Sequence, residues 1–418
     1  MSTRFATVLR DITPSDNGVL PQEGTNLGGS SGSDKHPAPR RLERLRLLNR
    51  NIFLYGPPGV GKHTLLARLD EEDRTEGKTR RLIDLRSTPN LNPADVWTPT
   101  EGLTIANADD PAVQLNDLYP ALSASLPEKR NARLPSSLEG QPLRVSSVDS
   151  VRFAASVPKK LAQRIEQIFP AVRIYPLSYR ECEGLSAHGI EFSTDTTPST
   201  FFPGADEPTL LSRMLAGGLP AMQRLASEER DRRWHVYVEE LVPLLGRGDR
   251  QLGESAVALL RTFAKHPGDP VDCKELSQNL DISLRQTKLA FRRCVELSLI
   301  EPIYPVGATA FSEPLPFFFD TGFLTYFMGL RSETELRAHP AFTAVFAHFI
   351  AGEIRKSRAY GPAGDRTGFV FEAVNLHDAD FDARFPYLLF FLPGDPEILR
   401  RPKVSLPLHL SAWVATPK

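Results

Sequence analysis

Cysteine is scarce in this sequence: there are three, Cys182, Cys273 and Cys294, spread far apart. An odd and dispersed set excludes a disulfide framework and any close-spaced zinc cluster. They read instead as small buried apolar residues. Long apolar runs are missing as well. A membrane helix needs roughly 18–20 consecutive apolar residues, whereas the longest run, around Phe385 to Leu392, is strand-sized and ends at Pro393. Nor is one sign of charge in excess. The 50 Lys and Arg against 51 Asp and Glu leave a formal net charge of −1, which excludes a chain that is basic overall but not one with a local basic face. Met1 to Arg10 contains Arg4 but no apolar stretch of a secretory signal, so a cytoplasmic, reduced location is expected. With 418 residues, about 150 per domain predicts two or three domains with sizeable cores.

What is present begins with a polar tail. Residues 1–39 are dominated, from Thr13 to Pro39, by Gly, Ser, Pro, Asp and Asn, a composition that cannot offset its own ordering entropy and is expected to be disordered. Leu42, Leu45 and Leu48 then recur at helical spacing. Asn51 to Tyr55 reads as a short buried strand, a glycine-rich turn follows, and Leu65, Leu66 and Leu69 mark a helix before a second strand, Arg81 to Leu85. Strand, loop, helix, strand is how a parallel α/β domain opens. Leu103 to Ala106, Leu143 to Val151 and Ala171 to Leu177 are further strand candidates, and Val157 to Ile168 a helix. Helical patterns cover Tyr179 to Leu185 and Thr209 to Leu245, and no internal repeat is present.

The turn Gly56-Pro57-Pro58-Gly59-Val60-Gly61-Lys62 carries the strongest chemical signal. Its glycines let backbone N–H groups converge on phosphate oxygens at a helix N-terminus, and Lys62 is placed to reach the β- and γ-phosphates. The site expected for ATP or ADP comprises Gly56, Pro57, Pro58, Gly59, Val60, Gly61, Lys62, His63 and Thr64. The motif wants a hydroxyl after the lysine as a magnesium ligand, and His63 stands there. Imidazole is a poor ligand for a hard cation, and Thr64 lies about 100° further round the helix. Whether magnesium accompanies the nucleotide therefore stays open. The apolar strand Leu103 to Ala106 should end in the acidic residues that hold the metal and activate water. Ala106 and Asn107 occupy those places, and Asp109 and Asp110 come about two residues late. No catalytic residue is assigned.

Taken in order, these segments resemble a family of bacterial and archaeal AAA-type ATPases in which a P-loop domain precedes a winged-helix and nuclease-like region of unknown function. The resemblance is carried by Arg50 to Lys62, Leu82 to Leu85, Val172 to Glu181, Gly217-Gly218-Leu219-Pro220 and Phe317 to Leu324. It implies an AAA-like α/β P-loop domain over 40–180, a helical lid over 181–250, a winged helix over 251–330 and a small restriction-endonuclease-like α/β domain over 331–418. It also implies lost hydrolytic parts: the acidic pair falls on Ala106 and Asn107, and the residue sensing the γ-phosphate falls near Val148 or Asp149.

In the third region Ser283 is placed to N-cap a helix that buries Thr287, Phe291, Cys294 and Leu297. Arg285, Lys288, Arg292 and the adjacent Arg293 form its basic side, so DNA is the candidate partner of a recognition helix. In the last region, Glu353, Asp378 and Asp380 are candidate remnants of a nuclease metal site, but the strand Tyr387 to Phe391 offers no carboxylate and lysine pair. An active nuclease is not expected. The expected function is a nucleotide-binding protein with weak or no hydrolysis, nucleotide acting as a conformational ligand, and with a protein partner not identified by the sequence. The alternatives are a slow ATPase recruiting His63 and Asp109 or Asp110, and a DNA-binding or protein-interaction scaffold without nucleotide.

Overall fold

The computed structural model describes residues 52–78, 81–84, 103–106, 151–155, 171–185, 202, 204–303, 313–359, 370–374, 387–391 and 404–407. The expected tail, the helix at Val157 to Ile168, and Asn107, Asp109, Asp110, Val148, Asp149, Asp378 and Asp380 lie outside these residues.

Strand β1, Ile52–Tyr55, is apolar on both faces, as a strand covered on two sides must be. It lies in a five-stranded sheet with β2 (Arg81–Asp84), β3 (Leu103–Ala106), β4 (Val151–Ala155) and β5 (Ala171–Arg173), in the order β2-β3-β4-β1-β5. Every pairing is parallel: Phe53 stands opposite Phe153 of β4 and Ala171 of β5, and Asp84 opposite Ala106 of β3. Helix α1, Lys62–Thr75, follows β1 and buries Leu65, Leu66 and Leu69.

The sheet corrects one expectation. The strand beside β1 is Val151–Ala155 rather than Leu143 to Val151, so Val148 and Asp149 precede the strand they were expected to follow. The residue after it in sequence is Ser156. Ala154 and Ala155 give little hydrophobic signal. The strand nevertheless lies between β3 and β1, where Ala154 has no exposed surface.

Beyond β5 the chain forms α2 (Tyr179–Cys182), α3 (Glu207–Ala216), a 3₁₀ turn at Pro220–Met222 and α4 (Ser227–Gly246). Ser178 and Glu181 close a capping box on α2, and Asp206 caps α3 by accepting from Thr209 N at 2.9 Å. Three helices follow, α5 (Arg250–Lys265), α6 (Cys273–Asn279) and α7 (Leu284–Glu296), then an antiparallel ribbon of β6 (Ile300–Ile303) and β7 (Leu315–Phe318). Ser283 caps α7 as expected, accepting from Gln286 N at 3.2 Å. Next come α8 (Thr321–Met328), α9 (Glu333–Ala338) and α10 (Phe342–Ala359). Strands β8 (Val370–Val374), β9 (Tyr387–Phe391) and β10 (Val404–Pro407) form a separate antiparallel sheet with β9 in the middle.

One apolar core runs from β1 and α1 through α3, α4 and α5 to α10, including Leu54, Trp234, Leu260 and Phe346. Segments expected to form separate domains therefore share buried surface. No helix among the described residues is long and apolar enough to cross a membrane.

Candidate phosphate-binding site and basic helix face

The loop from Gly56 to Gly61 leaves the carboxyl end of β1, beside β4 and β5. Open α/β sheets bind ligands at that edge. Gly56 adopts φ +147°, and a Cβ there would stand 2.1 Å from the carbonyl oxygen of Ile174. Gly61, at φ +85°, caps α1 without any side-chain hydrogen bond, and no acidic residue occupies the first helical turn. The positive end of the helix thus faces the loop with nothing anionic built in to neutralise it.

Lys62 is 3% exposed. Its Nζ donates to the carbonyls of Gly56 at 3.2 Å and Pro57 at 2.8 Å. An ammonium has three donors, and these two bonds fold the side chain back along the loop it must serve. His63 is half-buried and Thr64 exposed. Neither a Ser nor a Thr occupies the position after the lysine, and the donor set does not fit a magnesium ion in the usual manner. Among the described residues no group of three His, Cys, Asp or Glu is placed to hold a metal. Asp84 ends the edge strand β2, three places from β1, or ~14 Å at ~4.8 Å per strand. It cannot supply the missing carboxylate. Ala106 ends β3, as expected.

Helix α4 and the 3₁₀ turn add residues that sequence reasoning did not assign. Tyr237 of α4 donates its hydroxyl to Pro58 O at 3.0 Å and lies 3.2 Å from where a Cβ on Gly59 would be. Pro220 of the 3₁₀ turn sits 3.6 Å from the corresponding point on Gly61. The Gly217-Gly218-Leu219-Pro220 block was the only signal, and its place beside the loop is visible only in the folded chain.

Glu353, expected as a nuclease remnant, is instead buried in an ion pair. Its Oε1 lies 2.7 Å from Lys356 Nζ, and its Oε2 accepts from Tyr179 N at 2.6 Å. A carboxylate satisfied in this way is not poised for metal. Cys294 is buried, whereas Cys182 and Cys273, read as buried too, are only partly so; burial pushes the Cys182 thiol up to about 12 and raises those of Cys273 and Cys294 as well.

On α7 the structure separates the four expected basic residues. Arg285, Lys288 and Arg292 are exposed, while Arg293 is partly buried and paired with Glu296 at 2.5 Å. Arg293 therefore leaves the basic face, because its guanidinium turns toward the carboxylate one helical turn on. Leu284 and Leu289 join the face instead, at 39% and 38% exposure. The opposite side of the helix buries Thr287, Ala290 and Cys294. Phe291 and Leu297, expected in that buried set, are only partly covered.

A parallel sheet, a glycine loop at its carboxyl edge and a lysine opening the next helix define a P-loop α/β fold. No protein family and no curated protein matches this chain. Among solved structures it is similar to the Thermotoga maritima RuvB Holliday junction branch migration motor, at 12% identity and a TM-score of 0.32, covering 68% of this chain and 92% of that one. It is also similar to AMPPCP-bound DnaA from Aquifex aeolicus, at 12% identity and a TM-score of 0.26, covering 63% and 88%.

Proposed function

We propose that this chain is an AAA-type nucleotide-binding protein that takes ATP or ADP on Gly56 to Thr64 and hydrolyses it weakly or not at all. The observation that carries the reading is the uncapped N-terminus of α1 beneath a glycine loop, with Lys62 laid along it. Lys62 would neutralise the phosphates and the first-turn N–H groups would orient them. The lid, resting on the loop through Tyr237 and Pro220, is the element whose position a nucleotide would bias. Loss of hydrolysis is read from His63 and from Ala106 at the end of β3.

The test is thermal unfolding with ATP or ADP, with and without magnesium. Ligand at ~100 times its dissociation constant stabilises by about 2.7 kcal/mol, and Lys62→Ala should remove most of the shift. A folded wild-type protein that no nucleotide stabilises would refute the reading.

A second reading concerns the segment from α5 to β7, three helices and a ribbon in winged-helix order. Duplex DNA is its proposed partner, met by the face of Arg285, Lys288 and Arg292 with Leu284 and Leu289 on either side of it. Exposed cations favour phosphates, and the two leucines supply apolar contact with base edges or sugars.

A further inference from the structure

Asp320, Glu353 and Lys356, each 5% exposed or less, are buried together away from the phosphate loop, with the buried Glu181 close to Glu353. Burying charge is costly unless every group is paired and hydrogen-bonded, so their partners define what the cluster holds in place. Lys356 Nζ donates to Glu353 Oε1 at 2.7 Å and to the carbonyl of Leu177 at 3.1 Å. Glu353 Oε2 accepts from Tyr179 N. Asp320 Oδ2 accepts from Gly218 N at 2.8 Å, and Oδ1 from Phe323 N at 3.1 Å. Leu177 N in turn donates to Gly218 O at 2.6 Å. Lys356 also attracts the Asp320 carboxylate through space.

These contacts join four stretches far apart in sequence: the exit from β5, the turn before the lid's 3₁₀ segment, the start of α8, and α10. The exit from β5 and that turn border the phosphate loop. Ile174 O lies against Gly56, while Leu219 and Pro220, directly after Gly218, lie against Gly59 and Gly61. The fit at the turn is tight, since a Cβ on Gly218 would approach Leu177 O to 2.2 Å.

We infer that Asp320, Glu353 and Lys356 are positioning residues for nucleotide binding, which fix the lid turn over the phosphate loop by clamping Gly218 and Leu177. The inference rests on the nucleotide-binding reading above. Asp320 anchors the lid turn from one side. Lys356 and Glu353 anchor the β5 exit from the other, so that α10 takes part in setting the loop's shape. The cluster touches no nucleotide itself and acts only through backbone atoms.

The test compares ADP affinity of the full-length protein, by calorimetry, across three variants of matched thermal stability. Asp320→Asn keeps the side chain's size but presents an NH₂ where one backbone N–H now finds an acceptor. The double exchange Glu353→Gln with Lys356→Met removes both charges of the ion pair together, and Asp320 keeps its two backbone N–H donors. Leu276→Ala in α6 is a destabilised control remote from the cluster. Both cluster variants should weaken ADP binding about tenfold or more, with faster amide exchange at Leu177 and Gly218, while Leu276→Ala leaves affinity unchanged. Wild-type affinity in both cluster variants would overturn this inference and leave the phosphate-loop reading intact. A wild-type protein that fails to bind ADP would overturn both.

Discussion

The hydroxyl of Tyr237 donates to the carbonyl of Pro58 across 179 residues of sequence, and both partners are buried. The bond ties helix α4 to the loop that leaves β1, and the Tyr237 ring stands 3.2 Å from where a Cβ on Gly59 would be. Tyr237→Phe keeps the ring and leaves the Pro58 carbonyl without this donor. A net loss of about 0.5–1.5 kcal/mol is expected, to be read from denaturant midpoints at unchanged slope. No loss would mean that the bond is not formed in solution.

Two glycines with positive φ allow strain to be separated from steric fit. Gly77, at φ +77°, has nothing within 4 Å of a built Cβ, whereas Gly56 would press one against Ile174 O. Gly77→Ala should cost only the backbone penalty of about 1–2 kcal/mol. Gly56→Ala should cost clearly more and abolish any nucleotide-induced thermal shift. Equal costs at the two sites would contradict the close approach of β5 to the loop.

His348 provides a pH dependence. It is buried against Phe317, with ring centroids 4.9 Å apart, and its Nδ1 lies 2.8 Å from Ala344 O. Burial lowers its pKa from the ordinary 6.5 and outweighs the support of the neighbouring carbonyls. The unfolded chain therefore takes up a proton first as pH falls. Stability from this group is complete above about 6.5 and declines below it, at up to about 1.4 kcal/mol per pH unit, until the depressed folded value is passed. Unfolding measured from pH 7.5 to 5 should show a steeper decline in the wild type than in His348→Phe. Parallel curves would assign the acid sensitivity elsewhere.

On the second reading, replacing Arg285, Lys288 and Arg292 together by alanine should weaken duplex binding. Each lost phosphate contact should flatten the log–log salt slope by about 0.9. Arg293→Ala should leave that slope alone, because its charge is already engaged by Glu296. An unchanged slope in the triple variant would make the face an ordinary solvated one.

Hydrolysis is expected near background. A positioned general base contributes about 10²–10⁴-fold, and neither Ala106 nor Asn107 can serve as one. His63→Thr alone should not restore turnover, nor should Ala106→Asp with Asn107→Glu. The three together offer the best recovery, since parts of one catalytic unit are strongly non-additive. Robust phosphate release by the wild type, abolished in Lys62→Ala, would favour a slow ATPase using other carboxylates.

Local chemistry alone determined the glycine loop and the caps. Glycines between an apolar strand and an amphipathic helix leave few other conformations open, and Ser283 and Asp206 cap helices wherever those helices lie. Tertiary structure decided what depends on distance rather than spacing. It chose Val151–Ala155 as the strand beside β1, although Ala154 and Ala155 carry little hydrophobic signal. It turned Arg293 inward to Glu296 and left Leu284 and Leu289 exposed. It moved Glu353 from a supposed metal site to the pairing with Lys356, since a buried carboxylate takes its role from whichever cation and N–H groups the fold brings within 3 Å.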